Sequence, residues 1–238
     1  GLGDVYKRQL SDSVEVEIEA LVSKGVDCVS PENIGRAKRI DDGRYRYIER
    51  VKSSFPNQMR LDGLKVVIDC ANGAGYRAAP EVLWELGAEV VPVGVSPDGR
   101  NINLECGSTS PRIAAETVVA HGADVAICLD GDADRVLVID EQGCPIDGDH
   151  FLGMIGSRWQ KDDILVEKTL VATVMSNMHL ETFLNREGIK LVRTAVGDRY
   201  VVEKMRFNGF NLGGEKSGHV VMTDYSTTGD GLMAGLQF

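Results

Sequence analysis

Short β-branched runs alternate with segments of helical periodicity through the middle of the chain, and this alternation constrains the fold more than any other feature. The runs at 65–70, 89–93 and 124–129 are rich in valine and isoleucine, which is typical of buried strands. The segments at 76–86 and 111–121 have helical periodicity, and each is followed by a glycine. Strands that alternate with helices in this way form a parallel sheet that helices cover. We therefore predict an α/β fold.

A second α/β unit is predicted in the last third of the chain. Helical periodicity at 151–159, 179–187 and 200–207 alternates with strand-like runs at 163–170 and 190–194. The polar segment after the first of these strands is interpreted as its continuation. Strands and helices alternate in the second unit as they do in the first, although the two sequences show no residue-by-residue repeat.

Length and terminal sequences bear on domain organisation. The chain has 238 residues, which is long enough for two domains. We place one domain at 42–147 and the next at 148–238. Residues 1–9 fit neither a helical nor a strand pattern and are interpreted as an artificial scar. Because helical periodicity reaches Phe238 without a capping residue, the chain is expected to be an internal piece of a longer protein.

Composition excludes several classes of partner. The formal net charge is −10, which argues against binding to nucleic acid or to an anionic membrane surface. No apolar run approaches the roughly 20 residues that a membrane-spanning helix needs. The 5 cysteines are scattered and never in C-x-x-C spacing, so free thiols in a reducing cytoplasm are expected.

Three aspartates, Asp130, Asp132 and Asp134, alternate in a short loop between two apolar runs. Carboxylates this close repel one another, and a divalent cation is the usual reason that such a cluster persists. The loop directly follows a predicted strand, and ligands of parallel sheets bind at the carboxyl ends of strands. A solvated acidic turn is the alternative on spacing alone.

Three chemical interpretations of this loop can be compared. An EF-hand needs glycine at its sixth position, where the chain has Arg135, and its flanks are helical, so we reject it. An aspartyl-phosphate phosphatase would use Asp130 as nucleophile and Asp132 as acid/base. In the third interpretation all three aspartates bind Mg²⁺ together with a phosphate oxygen, and Arg135 is a bidentate partner of the same phosphate. Spacing leaves the last two open.

A glycine-rich loop at 214–219 is the second candidate site. Gly214 lets the backbone approach a ligand closely, while Glu215 and Ser217 lie on the same side of an extended loop and can hydrogen-bond sugar hydroxyls. His219 is suited to proton transfer near neutral pH. A glycine-rich turn with a surface histidine is the alternative.

Asp198 and Arg199 form a further short charged loop. A neighbouring pair of this kind is more often a surface ion pair than a substrate clamp.

Both loops match motifs of a known family. The sequence Asp-Gly-Asp-Ala-Asp-Arg at 130–135 resembles the metal loop of the α-D-phosphohexomutase superfamily, and Gly-Glu-Lys-Ser-Gly-His at 214–219 resembles its sugar-recognition loop. Narrower matches indicate the bacterial branch that acts on glucosamine phosphates; they lie at 34–37, 39–42, 69–74, 101–103, 106–109, 173–177, 195–200 and 227–231.

The resemblance implies two consecutive mixed-sheet α/β domains of the phosphohexomutase type, preceded by the tail of a third within residues 1–41. It implies an enzyme that interconverts glucosamine 6-phosphate and glucosamine 1-phosphate for UDP-N-acetylglucosamine and cell-wall precursor synthesis. A phosphoserine outside this chain would donate its phosphoryl group, and a bisphosphorylated sugar would form and return the other phosphate. A phosphomannomutase or phosphoglucomutase shares both main loops and is one alternative. A phosphatase that uses Asp130 as nucleophile and a non-catalytic module that binds sugar phosphates are the others. A homodimer of the full-length enzyme is compatible with this expectation.

The resemblance also implies roles for individual residues. Asp130, Asp132 and Asp134 would hold Mg²⁺, and Arg135 would steady the phosphate. The hexosamine phosphate would be bound by Glu215, Ser217, Asp198, Arg199 and Gly214. His219 would act as general acid/base. Because the chain has neither a Ser-His-Asn phosphoserine loop nor an Arg-x-Ser-Gly-Thr phosphate loop, we expect it to turn nothing over alone.

Overall fold

The computed structural model describes residues 10, 12–25, 27–56 and 58–238, so the predicted scar at 1–9 lies outside the described residues. The chain divides into two compact units, Gly1–Gly43 and Arg44–Phe238. In the first unit, helix α1 covers Asp12–Lys24 and a 3-10 helix covers Pro31–Asn33. The second unit contains both predicted domains.

The first sheet has the order β2-β1-β3-β4. Its strands are β1 (Lys65–Asp69), β2 (Glu89–Val93), β3 (Val125–Leu129) and β4 (Val136–Asp140), and the associated helices are α2 (Gly43–Lys52), α3 (Ala78–Glu85) and α4 (Arg112–His121). Strand β1 is parallel to β2 and β3, whereas β4 is antiparallel to β3. The sheet is therefore mixed, with one antiparallel edge strand.

The second sheet repeats this topology in the order β6-β5-β7-β8. Its strands are β5 (Thr169–Thr173), β6 (Lys190–Thr194), β7 (Leu212–Gly214) and β8 (Val220–Met222), with helices α5 (Gly148–Lys161), α6 (Met178–Arg186), α7 (Asp198–Asn208) and α8 (Gly231–Gly235). Strand β8 is again the antiparallel edge strand. The predicted pair of consecutive mixed-sheet α/β domains is confirmed.

One predicted strand was wrong. The run at 163–170 forms a strand only in its last two residues: strand β5 begins at Thr169 and ends at Thr173, and a 3-10 helix covers Val166–Lys168. Asp163 and Glu167 have φ values of +57° and +51°, which an extended strand cannot contain. All residues of strand β5 (Thr169–Thr173) are buried, and β5 lies between β6 and β7 in the sheet.

Alternation along each strand divides the core between the two faces of a sheet. Val66 and Ile68 of β1 belong to the large central core, whereas Val67 points to a smaller cluster with α4 residues on the opposite face. In the second sheet, Val171 packs with Val201 of α7 in the same manner. Helices on both faces are what a largely parallel sheet requires.

Helix α8 connects the two sheets. It packs against β3 and β4 of the first sheet and against β8 of the second. A Cβ on Gly235 would lie 3.0 Å from Ile127, so glycine permits this close approach. The central core consequently runs without interruption from one sheet to the other.

Among the described residues, none of the helices combines the length and the apolar character that crossing a membrane would require. The 5 cysteines are free, and Cys70, Cys106 and Cys128 are buried.

Asp69 is a fully buried carboxylate at the end of β1, and it anchors two loops. Its Oδ1 accepts a hydrogen bond from Ala71 N at 2.9 Å, and its Oδ2 accepts one from Gly107 N at 2.7 Å. Burial raises its pKa, and the two N–H donors oppose that change. Both carboxylate oxygens are therefore needed as acceptors.

Asp69→Asn is expected to lower the free energy of unfolding by about 1–3 kcal/mol, because its amide nitrogen would face a buried backbone N–H. Urea denaturation measures the change. Asp124→Asn is the matched control: Asp124 is exposed and accepts from Lys65 N through one oxygen, which asparagine retains. Equal losses in the two variants would contradict the anchoring role of Asp69.

Candidate active site

The aspartate loop is the turn that joins β3 to the antiparallel edge strand β4. Asp130 is 3% exposed, Asp132 is exposed and Asp134 is partly buried. One carboxylate oxygen from each lies within 4.8 Å of the others. Ala133 has a φ of +61°, and this left-handed residue folds the chain back so that the aspartates on either side converge.

The loop after β1 supports the aspartate loop from one side. Ala74 N donates a hydrogen bond to Gly131 O at 2.8 Å. A Cβ on Gly73 would lie 2.1 Å from the same oxygen, so only glycine allows the two backbones to meet.

Arg135 compensates part of the negative charge of the loop. Its Nε lies 3.0 Å from Asp130 Oδ2 and 3.4 Å from Asp134 Oδ1, and its backbone N donates to Asp130 Oδ1 at 3.1 Å. Burial disfavours the charge of the guanidinium, but the two aspartates outweigh it and raise the pKa of Arg135 above its ordinary value. Both oxygens of Asp130 are thus engaged by Arg135.

The donor set fits a small, hard divalent cation. Three carboxylates and one guanidinium leave two negative charges in excess, and carboxylate oxygens are the ligands that Mg²⁺ prefers. At least two of the three pairs of ligand oxygens in an octahedral Mg²⁺ site are adjacent and lie about 3 Å apart, so oxygens up to 4.8 Å apart need to close by up to about 2 Å. Asp132 is exposed and free of packing that would prevent this movement.

The glycine-rich loop is the turn between β7 and β8, and the expectation of an extended loop was wrong. Gly218 N donates to Glu215 O at 3.0 Å, and Glu215 N donates to His219 O at 2.9 Å, which closes a tight turn. The adjacent antiparallel strands are too close for an extended connection. Ser217 lies exposed in the turn, and Lys216 Nζ lies 3.2 Å from Asp147 Oδ2 at the start of α5.

The two loops meet directly, although they belong to different sheets. Arg135 and His219 form an isolated antiparallel β-bridge, and Val136 N donates to Gly218 O at 3.1 Å. Gly218 has a φ of +90°, and a Cβ there would lie 2.1 Å from Val136 O. The backbone of one loop is therefore fixed relative to the backbone of the other.

His219 is buried between a carboxylate of the aspartate loop and one at the start of α7 rather than lying on the surface, with 4% of its area exposed. Its Nδ1 lies 3.2 Å from Asp134 Oδ2. Its Nε2 is buried without a hydrogen-bond partner and lies 3.9 Å from Asp198 Oδ2. The imidazole thus links the aspartate loop to the start of α7.

Asp198 and Arg199 begin helix α7, beside the turn. The preceding Gly197 N donates to Glu215 Oε1 at 3.0 Å, which connects this segment to the glycine-rich turn. Arg199 Nε lies 3.2 Å from Glu203 Oε1 on the same helix. The structure therefore brings Asp198, Glu215 and His219 together with the aspartate loop.

Two family models match this chain. Alpha/beta/alpha domain II of phosphoglucomutase/phosphomannomutase matches residues 45–143, and alpha/beta/alpha domain III matches residues 147–238. The chain belongs to the phosphoglucomutase/phosphomannomutase family.

Individual relatives agree with this membership. A phosphoglucosamine mutase of Roseobacter denitrificans is 70% identical over 230 residues, which are 97% of this chain and 51% of that relative. The chain spans about half the length of the curated relatives it matches. A solved structure of a putative phosphomannomutase from Thermus thermophilus shares the fold, with a TM-score of 0.80 and 21% identity over 96% of this chain and 52% of that one.

A more distant solved structure is an N-acetylphosphoglucosamine mutase of Aspergillus fumigatus in complex with GlcNAc-6P and magnesium. It has a TM-score of 0.62 and 20% identity, covering 82% of this chain and 46% of that chain.

Two residues of this candidate site were missed by sequence reasoning. A Cβ on Gly229 would lie 2.4 Å from the ring of His219, and a Cβ on Gly231 would lie 2.4 Å from Arg135 O. Both glycines were noted only within a family motif. The signal that could have found them is their spacing of two around Asp230, which is typical of a backbone that approaches another group closely.

Proposed function

We propose that this chain forms the metal-binding and sugar-binding half of a phosphoglucosamine mutase. The observation that carries the proposal is the backbone contact between the aspartate loop and the glycine-rich turn, through Arg135 and His219. That contact would place a metal-bound phosphate and a sugar side by side, as transfer of a phosphoryl group between them requires.

The aspartate loop would hold the phosphate end of the reaction. Asp130, Asp132 and Asp134 would hold Mg²⁺, which when bound supplies positive charge that stabilises phosphate oxygens. Arg135 has a guanidinium that can bind a phosphate through two parallel hydrogen bonds. Arg135 lies against both oxygens of Asp130, and each oxygen keeps a lone pair with which it could bind Mg²⁺.

The turn would hold the sugar. Glu215 and Ser217 can bind hydroxyl groups, and Gly214 lets the backbone come close to the ring. His219 Nε2, which has no hydrogen-bond partner, is the atom at which a proton could be held or transferred. Asp198 and Arg199 would complete the polar wall on the α7 side.

The remaining assignments are proposals of the same kind. A hexosamine phosphate is the proposed substrate, supported by the names of the relatives and by the sugar phosphate in the Aspergillus fumigatus structure. We propose domain limits of 42–147 and 148–238, and a cytoplasmic location, which the free cysteines support. The phosphoserine donor would belong to sequence outside this chain.

A chimera tests the proposal. The matching 230 residues of the Roseobacter denitrificans mutase would be replaced by this chain, and the product assayed with glucosamine 6-phosphate and a hexose bisphosphate primer. We expect mutase activity from the chimera and none from this chain alone. Asp130→Asn in the chimera should lower kcat by about 100-fold or more, because it removes charge that stabilises the transferring phosphate.

Other outcomes discriminate the alternatives. Faster turnover of mannose 6-phosphate or glucose 6-phosphate would favour a phosphomannomutase or phosphoglucomutase. Stoichiometric release of inorganic phosphate would favour the phosphatase. A folded chimera without any of these activities would refute the assignment.

A further inference from the structure

The segment before α8 contacts both halves of the site. Gly229 lies against the His219 ring, and Gly231 N donates a hydrogen bond to Ala133 O at 2.8 Å, between two of the aspartates. Asp230 stands between these two glycines. Because Gly229 lies against His219 and Gly231 is bonded to the aspartate loop, the position of Asp230 is coupled to both.

Asp230 is held from helix α2. The Tyr47 hydroxyl lies 3.0 Å from Asp230 Oδ2 and 3.2 Å from Oδ1, and the two residues are 183 positions apart in sequence. Arg50, one turn further along α2, donates to Tyr225 O at 2.6 Å and to Asp224 O at 3.3 Å. Helix α2 thus forms hydrogen bonds with both ends of the segment 224–230.

A capping role explains only part of this arrangement. Asp230 Oδ1 accepts from Met233 N at 2.9 Å, so Asp230 is the N-cap of α8. Capping needs no second residue, whereas the Tyr47 hydroxyl is also directed at this carboxylate in a half-buried setting. Burial raises the pKa of Asp230, and the Tyr47 hydroxyl opposes that change by stabilising the ionised form.

We propose that Tyr47 and Asp230 are positioning residues that hold the aspartate loop and His219 in a metal-binding arrangement. The inference rests on the proposed function, because it takes the aspartate loop to be a Mg²⁺ site. No hydrogen bond or ion pair joins either residue to the three aspartate side chains in the described part of the chain; they act through the backbones of Gly229 and Gly231. This support is less direct than that of groups that hydrogen-bond metal ligands themselves, so its effect on affinity should be smaller.

Mg²⁺ titration of the chain tests the proposal, with the amide resonances of Ala133 and Gly231 as reporters. Tyr47→Phe should weaken Mg²⁺ binding by about threefold to tenfold, since groups that orient ligands affect affinity by about tenfold or more. Tyr45→Phe is the matched control, because Tyr45 lies on the same helix and its exposed hydroxyl accepts only from Arg44 among the described contacts. We expect the control to bind as the wild type does.

Asp230→Ser separates positioning from capping. Serine retains the cap of α8 but is too short to reach Tyr47. It should therefore match Tyr47→Phe in Mg²⁺ affinity. Wild-type affinity in both variants would overturn the positioning role.

Absence of Mg²⁺ binding by the wild type would instead refute the proposed metal site. The positioning role would then be decided by the metal-free spectra. Displaced Ala133 and His219 ring resonances in both variants, but not in Tyr45→Phe, would support it; unchanged resonances would overturn it.

Discussion

Asp130→Asn is expected to abolish measurable Mg²⁺ binding by this chain. Asp130 is the buried member of the triad and the one whose position is fixed by the Arg135 backbone. The substitution replaces a charged oxygen ligand with a weaker neutral one and removes one of the two excess negative charges. We expect affinity to fall by at least about 100-fold, because changes in groups that only orient ligands already cost 10- to 100-fold.

The thermal midpoint with and without Mg²⁺ measures this effect. Mg²⁺ should raise the midpoint of the wild type, since a ligand that binds only the folded state stabilises it. The same addition should leave Asp130→Asn unchanged. Without metal, the variant should be less stable than the wild type, because the amide nitrogen of asparagine would face either Arg135 N or Arg135 Nε in a buried setting. The rise in the midpoint on adding Mg²⁺, and not the metal-free midpoint, therefore distinguishes loss of the site from loss of the fold.

Asp140→Asn is the matched control for charge. Asp140 ends strand β4 and accepts from Gln142 N and Cys144 N through one oxygen, which asparagine keeps. The control removes the same unit of charge away from the triad. If Asp140→Asn lost Mg²⁺ binding and Asp130→Asn retained it, the ion would lie elsewhere.

Gly218→Ala is expected to lower the free energy of unfolding by about 3 kcal/mol or more. A non-glycine residue at a φ of +90° is strained by about 1–3 kcal/mol, and the loss of a hydrogen bond adds about 1 kcal/mol. The hydrogen bond is lost because a Cβ 2.1 Å from Val136 O forces the turn away from the aspartate loop. Mg²⁺ affinity should fall as well, since His219 would withdraw from Asp134.

Gly188→Ala is the control that separates the steric clash of the new Cβ from the strain of the backbone conformation. Gly188 has a φ of +73°, and a Cβ there would meet nothing within 4 Å. It should therefore show only the strain, about 1 kcal/mol, and no change in Mg²⁺ affinity. Equal effects of the two variants in urea denaturation and in Mg²⁺ titration would show that the loop contact contributes nothing.

Local patterns were sufficient to predict most elements and both loops. The strands Lys65–Asp69, Glu89–Val93 and Val125–Leu129 lie where runs of valine and isoleucine predicted them. The aspartate loop was predictable because its signal is contained within a few residues and follows a strand directly. Residues 163–168 were assigned wrongly because a short apolar run does not show where the chain turns before it enters the sheet.

Sequence alone therefore predicted two α/β units and two candidate loops, one with three aspartates and one rich in glycine. Only the tertiary structure decided that the loops form one site, through the bridge between Arg135 and His219 and the contact between Tyr47 and Asp230. The physical reason is that periodicity reports which face of an element is buried. It carries no information about which distant backbone will lie against that face, because this depends on how helix α8 and the central core bring the two sheets together.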